Sequence, residues 1–506
     1  MPTTEQDSQD TLAPSPTIWD RSAAGRWFAR IFSFELLMIS TLLILPLILS
    51  QAFTQAKAFL RDPDIWWHLA NARHLFTSGF IHAEPYSFTV AGKPWINPEW
   101  IAEIPYWLGY SAWGLHGLLI VAAIAGCLNI LGIYLLARQR TGHMWSSFVA
   151  AFIGTPLLFL NFGTRTILWG YLLLILELAI LEAWKKGHHR LLWFLPPLFC
   201  LWINTHGSWA LGAFFFFLFA VSQHISFSRG DFYSERKPLP QLKQIWIVTA
   251  LCMAVVFINP YGWRLVWYPV KYAFEWKLNM AVVQEWQPLH ISSLVGKIFL
   301  LFPLLFLITN GIRRRRWELF ETLIIVFGMY QAIAHIRFCV LFAILATPSL
   351  AFDLNRVWLH GNNPDRKRPL LNLAFLVAFW AFAISRMPSS AQMQTAYQQM
   401  FPTHLVAEVQ PDWRVYNTMN MGGVMALAGK REFIDTRYDT FNQYGVLSDF
   451  LQAMYIYKTL EILKKYKIDH VLFEKGAPVV YLLMHSGGWK QIGEQNGFVL
   501  LARTNS

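Results

Sequence analysis

Apolar residues in this chain gather into long runs near 31–52, 115–137, 144–161, 167–184, 191–204, 207–226, 244–260, 293–312, 317–334, 336–353 and 370–386. A run of about 17 to 25 apolar residues crosses a ~30 Å hydrocarbon layer as a helix, since a helix satisfies its own backbone hydrogen bonds where no water can. The runs therefore predict a polytopic α-helical membrane protein with about eleven transmembrane helices. The 191–226 region fits either two short spans or one broken pair. Hydrophobic residues make up 55% of the chain and charged residues 14%, a balance that excludes a disordered, collagen-like or disulfide-stapled secreted chain. The net charge of +12 does not point to nucleic acid, because Lys and Arg sit at the ends of the apolar runs, where they read as topology signals. Cys127, Cys200, Cys252 and Cys339 lie inside runs without metal-binding spacing and act as small hydrophobes.

Alternate connections collect the basic residues: Arg21/Arg26/Arg30, Arg138/Arg140, Lys185/Lys186/Arg190, Arg229/Arg236/Lys237/Lys243, Arg313 to Arg316, and Arg356/Arg366/Lys367/Arg368. By the positive-inside rule these connections are cytoplasmic. Residues 1–30 are then a cytoplasmic tail, and 31–386 form the transmembrane module with a long first external loop at 53–114. Residues 387–506 form an extracytoplasmic domain. The loop is dense in Trp and Tyr, which predicts that it lies along the bilayer surface. The C-terminal domain mixes strand-like stretches (Phe433-Ile434, His470 to Phe473, Gly497 to Ala502) with a helical pattern at Val446 to Lys467, which predicts a small α/β fold. Gly422-Gly423 and Gly487-Gly488 read as turns.

The polar residues without a topological role point to chemistry. Asp62, Asp64, His68, Glu99, Glu103, Arg165, Asn204, His206, Glu285 and Arg337 all map to the external face, from five connections. Charged groups near a bilayer are expensive, so their convergence predicts a site there. Arg61-Asp62-Pro63-Asp64-Ile65-Trp66-Trp67-His68 is the sharpest signal. Its paired carboxylates suit a divalent cation such as Mg or Mn, or a general base beside a neighbour that tunes it, with Asp64, Asp62 and His68 as the catalytic candidates. Either Asp also suits a helix cap, with Trp66 and Trp67 as anchors. Arg165 and Arg337 suit a phosphate through their planar forks, or ordinary lipid headgroups through snorkelling. Asn204 and His206 interrupt two spans, and Glu285 suits a sugar hydroxyl or an ion pair with an arginine. No phosphate-binding P-loop, nucleophile elbow, zincin or dinucleotide motif is present.

On the acidic first loop and the span layout the sequence resembles the GT-C superfamily of membrane glycosyltransferases. It is also similar to a group of bacterial multi-span membrane proteins through Asp64-Ile65-Trp66-Trp67-His68-Leu69, Pro85 to Thr89, Glu99-Trp100, Trp202 to Gly207, Asn259 to Gly262, Glu285-Trp286 and Phe433 to Arg437. The resemblance implies an enzyme of the bacterial cytoplasmic (inner) membrane that takes a hexose or pentose from a polyprenyl-phosphate-linked donor. The acceptor would be an envelope glycan, lipid or protein. Asp64 or Asp62 would be base or metal ligand. Arg337, Arg165 or a divalent ion would supply charge to the leaving phosphate, and Trp66 and Trp67 would pack on sugar and lipid. Glu99, Asn204, His206 and Glu285 would complete the substrate site. The chain lacks the Trp-Trp-Asp-type motif of oligosaccharyltransferases, so asparagine is not the expected acceptor.

Two other readings stay open. A lipid-linked-sugar transporter or flippase also has many spans, but here the unexplained polar residues sit at one face and the span interiors show no acidic relay. A non-catalytic envelope-assembly scaffold would act through residues 387–506.

Overall fold

The computed structural model describes Trp19 and residues 22–274, 284–357 and 368–504. The predicted tail up to residue 18, Arg21, Arg366, Lys367 and Ser506 lie outside the described residues. The helices that position the site are α1 (Phe34–Leu49), α2 (Asp64–Ser78), α3 (Trp100–Thr141), α4 (Met144–Leu158), α5 (Ile167–Lys185), α6 (Leu195–Ile203), α7 (Trp209–Ser222), α8 (Leu239–Val255), α9 (Trp263–Phe274), α10 (Leu294–Ile312), α11 (Leu319–Ala334), α12 (Cys339–Val357) and α13 (Pro369–Arg386). Each of the eleven predicted runs is helical. Among the described residues, seven helical stretches, containing α1, α3, α4, α5, α10, α12 and α13, are long and apolar enough to cross a membrane, and α6, α7, α8 and α11 belong to shorter apolar helices. The 191–226 region is a broken pair, with α6 and α7 joined by the turn that holds Asn204 and His206.

The two ends of the bundle differ in chemistry. At one end the basic connections meet the acids that neutralise them: Arg138 with Glu35, Arg140 with Glu182 and Glu321, Lys185 with Glu318, and Arg315 with Glu321 and Asp353. A small unpredicted sheet of β1 (Phe227–Arg229), β2 (Phe232–Ser234) and β3 (Trp317–Glu318) forms among these connections. One acid does stand inside a span: Glu177 of α5 is fully buried, and among the described residues neither of its carboxyl oxygens has a hydrogen-bond partner.

The first loop departs from expectation. Trp66, Trp67, Trp95 and Tyr106 are buried, and only Trp113 of the nine Trp and Tyr residues in the loop is largely exposed. Trp66, Trp67 and Trp95 are enclosed because the C-terminal segment packs on them. Trp66 packs against Tyr397 and Phe401 at ring-centroid distances of 5.1 and 5.3 Å. After residue 386 the chain forms a four-stranded sheet of β4 (Val415–Asn417), β5 (His470–Glu474), β6 (Trp489–Gln495) and β7 (Phe498–Arg503), in the order β4-β5-β7-β6. β5 and β7 match the predicted strands. Phe433-Ile434 is irregular instead of extended in a sheet, because its backbone is claimed by side chains: the Asn417 amide reaches the Ile434 carbonyl at 2.8 Å and accepts from Phe433 N at 2.8 Å. The long helix predicted at 446–467 breaks into Val446–Met454 and Thr459–Lys465, with Ile456 and Lys458 at positive φ between them.

Gly422-Gly423 is no turn. Both residues lie inside helix α14 (Met419–Leu427), and they let it seat against α2. A Cβ on Gly423 would meet Trp67 N at 3.0 Å, and one on Gly422 would meet the Ile434 carbonyl oxygen at 2.2 Å. Arg73 of α2 closes the same contact by donating to the Leu427 carbonyl at 2.9 Å. Gly422→Ala therefore has to push residues 434–435 away from α14, at about 1–3 kcal/mol for overpacking a tight contact. A lower thermal unfolding midpoint for Gly422→Ala in detergent is the expected result. A midpoint equal to wild type would mean that the contact is slack.

Candidate active site

The site grows from the start of α2. The first N–H groups of a helix lack intrahelical partners, and Asp62 answers one of them: its Oδ1 accepts from Asp64 N at 3.1 Å. The cap-like role thus falls to Asp62, which frees the Asp64 side chain. The other oxygen of Asp62 faces Arg165 Nε at 3.2 Å, and Arg165 also pairs with Glu285. Tyr106 Oη donates to the Arg165 carbonyl at 3.0 Å and fixes that turn. The predicted alternative for Glu285, an arginine pair, is the one realised.

Asp64 meets a residue that sequence reasoning left without a role. Thr436 Oγ1 donates to Asp64 Oδ1, while Trp67 Nε1 lies 3.1 Å from Thr436 Oγ1 and 3.4 Å from Asp64 Oδ1. Both donors hold one carboxylate oxygen. Oδ2 has no hydrogen-bond partner among the described residues. Burial, reinforced by the Asp62 charge, pushes the Asp64 carboxyl up to about 6, against the opposing pull of Thr436, His68 and Arg165.

Behind Asp64 lies a second acidic group. His68 Nδ1 sits 2.8 Å from Glu103 Oε1, and its Nε2 is 3.7 Å from Glu99 Oε2. Glu103 is buried and saturated, accepting also from Asn71 at 2.9 Å and Asn97 at 2.7 Å. Burial disfavours a charge on His68, but Glu103, Glu99 and Asp64 together outweigh it and raise its pKa. Glu99 in turn accepts from Thr166 Oγ1 at 2.6 Å and lies 3.3 Å from His206 Nε2. Ser208 N points at His206 Nδ1 at 2.9 Å, which makes Nδ1 the acceptor and leaves the ring hydrogen on Nε2, toward Glu99. Burial lowers the His206 pKa, so this imidazole stays neutral.

Asp62, Asp64, His68, Trp67, Glu99, Arg165, His206 and Glu285 are thus brought together. Arg337 stands apart from the ion pairs: its guanidinium lies over the Trp286 ring, 4.6 Å from the centroid, and among the described residues no carboxylate pairs with it. Its charge reaches His206. Trp66 faces the core, and Asn204 has a fixing role, accepting from Trp100 Nε1 at 3.0 Å and donating to the Cys200 and Ile258 carbonyls. An apolar groove of about 650 Å³ runs from Asn204 and Trp100 past Pro197, Leu201, Phe257 and Pro260.

Among the described residues no three of His, Cys, Asp and Glu are placed to hold a metal ion. Asp62 is already engaged on both oxygens, by a backbone N–H and by Arg165.

This bundle of apolar helices, closed by a small α/β segment, has a GT-C-like fold, as its likeness to solved structures shows. The oligosaccharyltransferase AglB of Archaeoglobus fulgidus, solved with an inhibitory peptide and a dolichol-phosphate, aligns with 90% of this chain and 70% of its own at a TM-score of 0.54 and 14% identity. The same enzyme in its apo form reaches a TM-score of 0.55 at 14% identity, over 87% of this chain and 69% of that one. ArnT of Cupriavidus metallidurans, solved with undecaprenyl phosphate, aligns over 95% of this chain and 98% of its own at a TM-score of 0.50 and 13% identity. No family model matches the sequence, and a search of curated proteins finds no match.

Proposed function

We propose that this protein is a glycosyltransferase that moves a sugar from a polyprenyl-phosphate-linked donor to an envelope glycan, lipid or protein acceptor on the extracytoplasmic face of the bacterial inner membrane. The observation that carries the reading is Asp64, whose Oδ2 has no hydrogen-bond partner among the described residues and whose pKa sits near 6, in one cluster with His206, whose surroundings include Arg337, a cation that no carboxylate among the described residues neutralises. The solved neighbours held dolichol-phosphate and undecaprenyl phosphate, which supports a polyprenyl phosphate as the carrier here.

In this reading the acceptor hydroxyl attacks the anomeric carbon and passes its proton to Asp64 Oδ2. The bond from that carbon to the phosphate oxygen breaks, and the carrier phosphate leaves with the electron pair. Arg337 takes the growing charge on the phosphate. Arg165 is largely neutralised by Asp62 and Glu285, so it holds the Asp62–Asp64 turn in place. The groove beside Asn204 takes the polyprenyl chain. Residues 387–506 serve as the external domain that brings Thr436 to Asp64.

Mass spectrometry of envelope glycans and polyprenyl-linked lipids from a deletion strain tests the reading. A truncated glycan with accumulated lipid-linked sugar is expected. An unchanged lipid pool with a misassembled envelope would favour the scaffold instead. Arg337 gives a sharper test. Lys keeps the charge but not the two-pronged geometry, so Arg337→Lys is expected to slow turnover about tenfold and Arg337→Ala about a hundredfold. A merely snorkelling arginine would tolerate Lys fully. Equal turnover for wild type and Arg337→Lys at matched expression removes this residue from the site.

A further inference from the structure

A separate cavity of about 200 Å³ opens between α9, residues 94–96 and the short helix Tyr438–Gln443. Four rings line it, those of Trp95, Trp263, Trp267 and Tyr268. Trp263 and Trp267 are exposed, and interfacial anchoring alone would account for them. It does not account for the polar side of the cavity. Thr440 lines it, is 97% buried, and its hydroxyl has no hydrogen-bond partner among the described residues. A buried hydroxyl without a partner is a rare and unfavourable arrangement that a bound hydroxyl or water repairs. Asp439 lines the same cavity and accepts from Tyr268.

The cavity also carries positive charge. Arg264, Tyr268 and Lys271 recur at spacings of four and three along α9, which puts them on one side of the helix. Among the described residues neither Arg264 nor Lys271 has a carboxylate within ion-pair distance, and Asp439 is the one acid in the lining. Aromatic faces, a carboxylate and a free hydroxyl are the groups that hold a pyranose, whose C–H faces stack on rings and whose hydroxyls need acceptors and donors. Two cations over one acid add a preference for an anionic sugar.

We infer that this cavity seats an acidic pyranose of the acceptor glycan, a ring bearing a carboxylate or phosphate, with the ring against Trp267 and Tyr268 and the acid toward Arg264 and Lys271. The inference rests on the glycosyltransferase reading. Its position favours acceptor over donor. Asp439 follows Thr436, the partner of Asp64, by three residues, and Trp95-Ile96 precede Asn97, which holds Glu103. Arg337, the proposed phosphate holder, belongs to the Trp286–Glu285–Arg165 side.

Saturation-transfer NMR and calorimetry on the full chain in detergent test the assignment, with trigalacturonate as probe and maltotriose as its neutral counterpart. Trigalacturonate is expected to bind saturably and about tenfold more tightly than maltotriose. Trp267→Ala is expected to weaken both about tenfold, with Trp267→Tyr retaining them, and Arg264→Ala/Lys271→Ala to erase the preference for the acid. Asp64→Asn leaves binding intact, which separates this site from the catalytic reading. A protein that binds the probe but transfers no sugar in any assay would sink that reading and leave the cavity. No saturable binding to wild type, or wild-type affinity in Trp267→Ala, overturns the inference. Displacement of the trisaccharide by undecaprenyl phosphate would give the cavity to the donor and overturn it as well.

Discussion

Asp64→Asn is expected to reduce transfer to background while the protein stays folded and inserted. The amide oxygen still accepts from Thr436 and Trp67, and the start of α2 is held by Asp62, so little structural reason exists for the variant to unfold. What it loses is the ability to take a proton. The pH profile carries the same argument. With its carboxyl pushed up to about 6 by burial and by Asp62, Asp64 is protonated below that pH and useless as a base, so the wild-type rate is expected to rise through pH 6 and then level. Asp62→Asn keeps the backbone hydrogen bond, since Asn accepts as Asp does. It removes a neighbouring negative charge, so its effect is milder and its acid limb moves to lower pH. Turnover of purified Asp64→Asn protein at the wild-type rate would leave Asp64 no catalytic part.

The apolar helices and the gathering of the polar cluster were legible in the sequence for the same reason, namely that polar residues at the ends of apolar runs have few places to go. Asp62 and Glu99 of the first loop, Arg165, His206 and Glu285 come from four connections, yet alternation of spans alone puts them at one end, and the ion pairs follow. Partner choice within the cluster was not legible. Nothing in Arg61 to His68 says that Asp62 would hold the helix start and Asp64 would be left open. That depends on Thr436, more than 350 residues away, and on Gly422 and Gly423, which look like turn formers in sequence and act as a close-packing surface in space. The aromatic loop misled for a related reason. Trp66 and Trp67 fit a bilayer surface equally well until the C-terminal segment is known to cover them. Nor could a paired arginine be told from one stacked on a ring in the sequence alone, and the structure separates them: Arg165 is flanked by two acids, Arg337 by a ring.

Replacing Arg437 is expected to have the largest effect on folding. This arginine is almost fully buried and meets Glu84 at 2.6 and 3.1 Å, Asp435 at 2.7 Å and Glu432 at 3.2 Å. One cation thus joins the first loop to the segment that carries Thr436, and the backbone of Tyr86 to Thr89 is tied to Glu432 and Phe433 around it. Three carboxylates around one arginine cannot all ionise in a buried site. Burial, then the Asp435 charge, raises the pKa of Glu432 well above the usual carboxylate range, so Glu432 is the acid that keeps its proton. Two consequences follow with opposite magnitudes. Arg437→Leu leaves buried acids without their counter-ion, a loss of about 3–5 kcal/mol where a buried pair is broken from one side. Glu432→Gln replaces a neutral acid with a neutral amide of the same shape, and is expected to be nearly silent. Thermal unfolding of both variants in detergent checks the pair. A stable Arg437→Leu protein, or a Glu432→Gln protein as damaged as Arg437→Leu, would mean that the loop is held to Thr436 by its backbone contacts alone.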